Sequence, residues 1–388
     1  MESINKPIPD KISKLGYLLT GIGLLIIVVS FLVDKQRGAF DYLWIYMFLT
    51  SVGIGGLALT ALEYLVGATW SVPFRRVCEF LAGIIPLLVI LVMPLIFSMH
   101  DLFHWTHPEA VANDPILKAK APYLNMNFFM IRVVFCILVW FLFYYFFTKN
   151  SKKQDTSKDP ALTRKNIKLS VAFAPLFFIS LSIAAIDWMM SLEPHWFSTI
   201  YGVYYFAGTI VCTLAIVTFI SIHLKENGYL SPRLGNDQFY SLGTLLFGFN
   251  IFWGYIAFSQ YILIWYADIP EETYWYMMRW HNGWQYVSMG LLFIHFVIPF
   301  LVLLPRSVKV NLKTLKIMSI WMVFAHMLDL YWLIMPTYSK SPVLGWQELG
   351  IFFFAPGLIM IVFGMKASKE NLTPVGDPKL EAGLNFTL

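Results

Sequence analysis

The chain has 388 residues, 58% of them hydrophobic, 18% aromatic and only 13% charged. Soluble domains carry roughly 25% charged residues, so this composition excludes a water-soluble globular protein, and its apolar content excludes a disordered one. The net charge of +5 is scattered between apolar runs and forms no basic block, which argues for membrane topology and against nucleic-acid binding.

Apolar runs of about 20 residues match the roughly 30 Å of a bilayer core. In chain order they fall at 15–33, 42–65, 77–99, 126–148, 169–192, 198–222, 240–266, 281–304, 316–336 and 349–365. The runs are continuous, whereas barrel strands alternate over about ten residues. The first run is too long for a signal-peptide core and lacks a small-residue cleavage site, so it counts as a span. The expected fold is all-α: a polytopic membrane protein of about ten transmembrane helices in one integral membrane domain, 1–388. The breaks are short, and only the polar stretch 149–168 reads as a flexible loop.

The Lys/Arg count sets an expected orientation. With the N-terminus inside, Lys6, Lys11, Lys14, Arg75, Arg76, seven residues of 149–168, Lys225, Arg233, the 305–316 group and the tail place 21 basic residues on the cytoplasmic side. Six fall outside, and Arg132 lies within the fourth span. Both termini are therefore expected in the cytoplasm. Trp44, Trp105, Trp196, Trp265, Trp275, Trp280, Trp284 and Trp346 all map to the outer boundary or its loops. They exceed an ordinary interfacial belt and point to a surface on which an extracytoplasmic partner docks.

The segment Asp187–Trp196, Asp-Trp-Met-Met-Ser-Leu-Glu-Pro-His-Trp, closes an apolar run with a carboxylate inside it. A carboxylate in hydrocarbon costs about 2.5–3.5 kcal/mol on insertion scales, so Asp187 needs a partner. Counting along the spans puts Asp187, Asp329 and Arg132 each about 10 Å below the outer boundary. An Arg132–Asp187 pair is expected there, with His326 on the same helix face as Asp329. Glu63, Glu79 and His295 count to the inner half, and Asn250 and Gln260 lie between. Acids and histidines at two depths are what a proton path requires. The outer level could equally hold a quinol headgroup, with Asp187, His195 and His104 as proton acceptors.

Asp187 and Asp329 each precede a proline by seven residues, at Pro194 and Pro336. This echo divides the spans into two four-helix bundles, 42–192 and 198–336, flanked by helices 15–33 and 349–365. Cys78, Cys136 and Cys212 are dispersed in spans and read as packing residues; no haem-attachment, iron–sulfur or other metal-ligand spacing occurs. His295 and His326, counted to different depths, make poor ligands for one haem. A secondary transporter would also suit ten spans, a repeat and buried charge, but no span reads as interrupted by Gly or Pro at the midplane.

Residues 187–202, with Gly67–Glu79 (Gly-Ala-Thr-Trp-Ser-Val-Pro-Phe-Arg-Arg-Val-Cys-Glu), resemble the NrfD/polysulfide-reductase-type membrane subunits of bacterial alternative complex III. Length and the 67–79 segment look more like the ActF type than its ActC-like paralogue. The resemblance implies a bacterial inner-membrane subunit of a quinol:cytochrome c or quinol:oxidase oxidoreductase that is not catalytic alone. It implies a multihaem cytochrome c and iron–sulfur subunits on the outer face, an ActC-like sister subunit and a terminal oxidase as partners. Haem and iron–sulfur clusters would then belong to those partners, with no cofactor bound covalently by this chain and quinone or quinol a candidate ligand. A purely structural scaffold subunit is the alternative within that family.

Overall fold

The computed structural model describes residues 10–388; Lys6 and the side chain of Lys11, both counted in the orientation argument, lie outside the described residues. The protein is all-α, 81% helical, and no strand occurs among the described residues. Among the described residues, ten helices are long and apolar enough to cross a membrane. They are α1 (Asp10–Val33), α2 (Lys35–Val66), α3 (Val72–Phe97), α4 (Met126–Ser157) and α5 (Pro160–Trp188). The remainder are α6 (Tyr201–Glu226), α7 (Asn236–Ala267), α8 (Trp284–Leu303), α9 (Leu312–Tyr338) and α10 (Leu349–Ala367). Below, the face where α1 begins and α10 ends is called the terminal face.

Two expected boundaries change. α2 begins at Lys35, because the Asp34 carboxylate caps it by accepting from the Arg37 N–H. Its 32 residues make a rod of about 48 Å, longer than the bilayer core. The 149–168 loop is also not a loop. α4 runs to Ser157, Lys158 turns with φ 53°, and Asp159 caps α5 with Pro160 in its first turn. The polar residues clothe helix ends that outrun the apolar stretch, joined by Asn150 to Asn166 and Gln154 to Thr163.

α2 through α5 pack as a ring, each against the next and α5 back against α2, and α6 through α9 do the same. Between the rings α2 meets α6 and α9, while α6 also meets α5 and α3. Exchanging α2 with α6 and α5 with α9 carries the α2–α9 contact onto α6–α5. α2 and α6 are accordingly the most buried spans. α1 and α10 pair with each other outside the rings. That crossing depends on small residues: a methyl at Gly23 would lie 2.4 Å from the Phe354 nitrogen, and one at Gly357 would lie 2.6 Å from that of Thr20. In membranes, such backbone approach supplies the dispersion energy that hydrophobicity does not.

Two spans are interrupted, contrary to the expectation from sequence. α3 is broken into short α and 3-10 pieces and carries Pro73, Pro86 and Pro94. α8 contains a π-helical segment, Leu292–Val297. At its end the Ile298 N–H bonds Phe293 O, and the Ile294 carbonyl is taken instead by the Trp321 indole of α9 at 2.8 Å. Pro299 adds to this by supplying no N–H for the His295 carbonyl. Such widened turns are frequent at functional sites, and this one carries His295.

Candidate functional site

Each ring holds a buried aspartate from its fourth helix against a basic side chain of its third. In the first ring, Arg132 Nε of α4 donates to Asp187 Oδ2 of α5 at 2.7 Å, the pairing expected from sequence. The Tyr123 hydroxyl donates to Asp187 Oδ1 at 3.1 Å, and Arg132 Nη1 donates to the Tyr123 carbonyl. The guanidinium lies 3.9 Å from the Tyr123 ring centroid and 4.5 Å from that of Phe128. Burial pushes the Tyr123 phenol up to about 12, so it remains a donor. Asp187 is the penultimate residue of α5, where helix carbonyls disfavour negative charge; Arg132 offsets both this and desolvation. A cavity with room for about one water adjoins the pair, lined by Tyr46, Thr50, Cys136 and Trp140 among others.

The second ring holds a different constellation. Potential ligand atoms of His295 (α8), His326 and Asp329 (α9) all lie within 4.8 Å of one another, and all three residues are at most 1% exposed. The Tyr204 hydroxyl of α6 donates to Asp329 Oδ1 at 2.5 Å, and Trp253 Nε1 of α7 donates to Oδ2 at 3.2 Å. Trp253 also stacks on His295, with ring centroids 3.7 Å apart and planes at 17°. His326 Nε2 meets Ser51 Oγ of α2 at 3.1 Å. Ser51 has one proton, placed to reach Met47 O or the Tyr205 oxygen. Donation from His326 Nε2 to Ser51 Oγ would leave Nδ1 as a bare lone pair. His326 Nδ1 and both nitrogens of His295 have no hydrogen-bond partner among the described residues.

His295 thus does not belong to the inner group. Counting its depth from residue 281 assumed an uninterrupted helix, whereas α8 begins at Trp284 and widens at the π segment. The premise that His295 and His326 sit at different depths falls with it. Asp187 and Asp329 also differ more than their shared spacing implied. α5 ends at Trp188, while α9 continues through Pro336 to Tyr338.

Glu63 and Glu79 do come together, at the terminal face. Arg75 pairs with Glu63 at 2.9 Å and with Asp377 at 2.6 Å; Arg76 pairs with Glu79 at 2.9 Å and with Asp155 at 2.7 Å. Ser71 satisfies the second Glu63 oxygen. Asp377 reaches this network because the chain after α10 folds back across the face, where Lys379 donates to Gly67 O and Gln238 to Gly383 O.

The Glu193–Trp196 turn joins the loops of the opposite face. His195 bonds Asp114, whose carboxyl this contact holds below the usual range. Lys120 donates to Pro194 O, and Trp196 stacks on Trp275 at 4.4 Å. Burial raises Glu193 against the opposing effect of Arg279. Arg279 itself is lowered by burial to about 10 and donates to the carbonyls of Trp332, Trp275 and Leu333. The Trp332 carbonyl is free because Pro336, four residues on, has no N–H. His104 is exposed with its ring facing His107. Asp187, His195 and His104 thus have separate partners.

Five of the eight outer tryptophans, Trp44, Trp105, Trp196, Trp275 and Trp284, are buried inside the chain; Trp265, Trp280 and Trp346 are exposed. Sequence reading missed Tyr204, Trp253 and Ser51, whose polar atoms carry no signal in an apolar run. It also missed Asp41 of α2, a buried carboxylate with neither oxygen hydrogen-bonded among the described residues. Comparison with protein-family models and with curated proteins finds no match for this chain.

Proposed function

We propose that the chain is a membrane subunit of a respiratory quinol:cytochrome c or quinol:oxidase oxidoreductase of the alternative complex III kind, of the ActF type, and that it contributes a proton path. The observation that carries this reading is the His295–His326–Asp329 cluster. Three ionisable groups with spare lone pairs, shielded from bulk water, can accept and pass protons. α2 connects this cluster to the terminal face: Ser51 touches His326, and Glu63 lies twelve residues further, about 18 Å along the helix. Arg132 and Asp187 stand as the companion site of the first ring. Glu63 and Glu79, held by arginines, favour an anchoring role at the terminal end of the path.

The same reading places the protein in a bacterial inner membrane with both termini in the cytoplasm, in keeping with its Lys/Arg distribution. Partner haem and iron–sulfur proteins would dock on the opposite face, where Trp265, Trp280 and Trp346 remain exposed. The interrupted α3 and α8 favour a second reading, a secondary transporter. A purely structural scaffold is a third, favoured by the ion-paired terminal face.

Isolation in mild detergent tests the setting: a haem cytochrome and an iron–sulfur protein should accompany the chain, and a metal-cofactor-free homo-oligomer refutes the complex. In the assembled complex, Asp329→Asn and His326→Gln should each lower proton release coupled to quinol oxidation by about tenfold or more, with subunit composition unchanged. Unchanged proton release in both refutes the path.

A further inference from the structure

We infer that His295, His326 and Asp329 form a binding site for a first-row divalent metal ion, zinc foremost. Two imidazoles and one carboxylate are a donor set that such ions take, with a fourth tetrahedral position left to water. The three residues come from two helices, and the π segment of α8 carries the third donor to the other two.

Three features point to a metal beyond the mere clustering. The first is the set of unpartnered nitrogens, both of His295 and Nδ1 of His326, in residues that are 0–1% exposed. Orphaned buried polar atoms are costly, and one ion bound to the cluster would satisfy two of these three, one on each histidine. The second is the outer shell. His326 is oriented through Nε2 by Ser51, which leaves Nδ1 free to ligate, and Asp329 is held from behind by Tyr204 and Trp253. Metal-binding histidines and carboxylates are held by partners of this kind. The third is Gly208 on α6. A methyl there would stand 2.9 Å from His326 Nδ1 and 3.5 Å from Asp329 Oδ2. Glycine leaves open the space between the two donors.

Zinc–ligand bonds of 2.0–2.1 Å set tetrahedral donor atoms about 3.3 Å apart. The present limit of 4.8 Å therefore requires contraction of about 1.5 Å at most. His295 has no hydrogen bond to lose in moving. Ligation takes the unprotonated form of each donor, so metal and protons compete for the same lone pairs. A bound ion would close this station of the proton path.

The experiment uses the full chain, tag-free, purified in mild detergent from cells grown with added zinc. Metal analysis should find about one zinc per chain. Cobalt(II) substitution should give the visible absorption of a tetrahedral N/O site. His295→Ala, His326→Ala, Asp329→Asn and Gly208→Ala should each lower bound metal at least fivefold, whereas Asp187→Asn should not. Absence of zinc and cobalt from the wild-type chain, or stoichiometry unchanged in all four variants, overturns the inference. Should the variants fail to fold, zinc-edge absorption on the wild-type chain decides: a first shell with two imidazoles supports the site, and a shell without them refutes it. Metal content is read without turnover. Metal binding by the parent chain with unaltered proton release in both Asp329→Asn and His326→Gln would therefore refute the proton path alone.

Discussion

Replacing Arg132 with methionine tests whether the first-ring pair exists to neutralise a buried acid. The substitution keeps an apolar stem against Tyr123 and Phe128 and removes the 2.7 Å bond to Asp187. Asp187 is then left with one neutral donor, the Tyr123 hydroxyl, at the end of a helix whose carbonyls oppose its charge. Breaking a buried pair from one side costs about 3–5 kcal/mol. A lone carboxylate can escape by taking a proton, which at pH 7 costs an ordinary aspartate about 4 kcal/mol, so that figure is the ceiling. Retention of Tyr123 and some water access bring the expected loss to roughly 3 kcal/mol. Because escape is by protonation, acidification should recover about 1.4 kcal/mol per pH unit until the loss is gone. The double variant Arg132→Met with Asp187→Leu should return to within about 1 kcal/mol of the parent, as apolar replacement of whole buried pairs does. Reversible unfolding in mixed detergent–SDS micelles, followed by tryptophan fluorescence at several pH values, measures all three quantities. A loss below about 0.5 kcal/mol for Arg132→Met, or a double variant as unstable as the single, would refute the reasoning.

Burial raises Glu193, so its stabilising contribution is whole below the ordinary value of 4.5 and is lost as pH rises through the folded value. Glu193→Gln should abolish that downward slope in a series of melting temperatures and be at least as stable as the parent at pH 7; an unchanged slope counts against burial as the cause. Arg279→Lys cannot reach all three carbonyls now held by the guanidinium fork. A loss of about 1–3 kcal/mol should appear as faster chymotryptic cleavage within 267–283, and unaltered cleavage refutes the fork's role. Gly23→Leu drives a side chain into the Phe354 backbone. Hydrogen exchange should accelerate in α1 and α10 and stay constant in the two rings; protection unchanged in α1 refutes the close crossing.

The linear chain was enough to establish an all-α membrane protein, because apolar runs of bilayer length leave few other ways to satisfy the backbone. It was also enough for the Arg132–Asp187 pair. Consecutive helices lie side by side, and two opposite charges too deep for water have little choice but each other. His295 was misplaced because depth counting assumes a regular helix, while the π segment arises from Trp321, a residue of another helix competing for a carbonyl. The terminal-face network escaped for a similar reason: Asp377 meets Arg75 across 302 positions. Most of the outer tryptophans read as a surface yet pack inward, since hydropathy registers composition and not direction. Length and polarity are local properties and survive translation into sequence. Which lone pairs face one another is decided by helix register and by glycines that let backbones touch, and those belong to the tertiary structure.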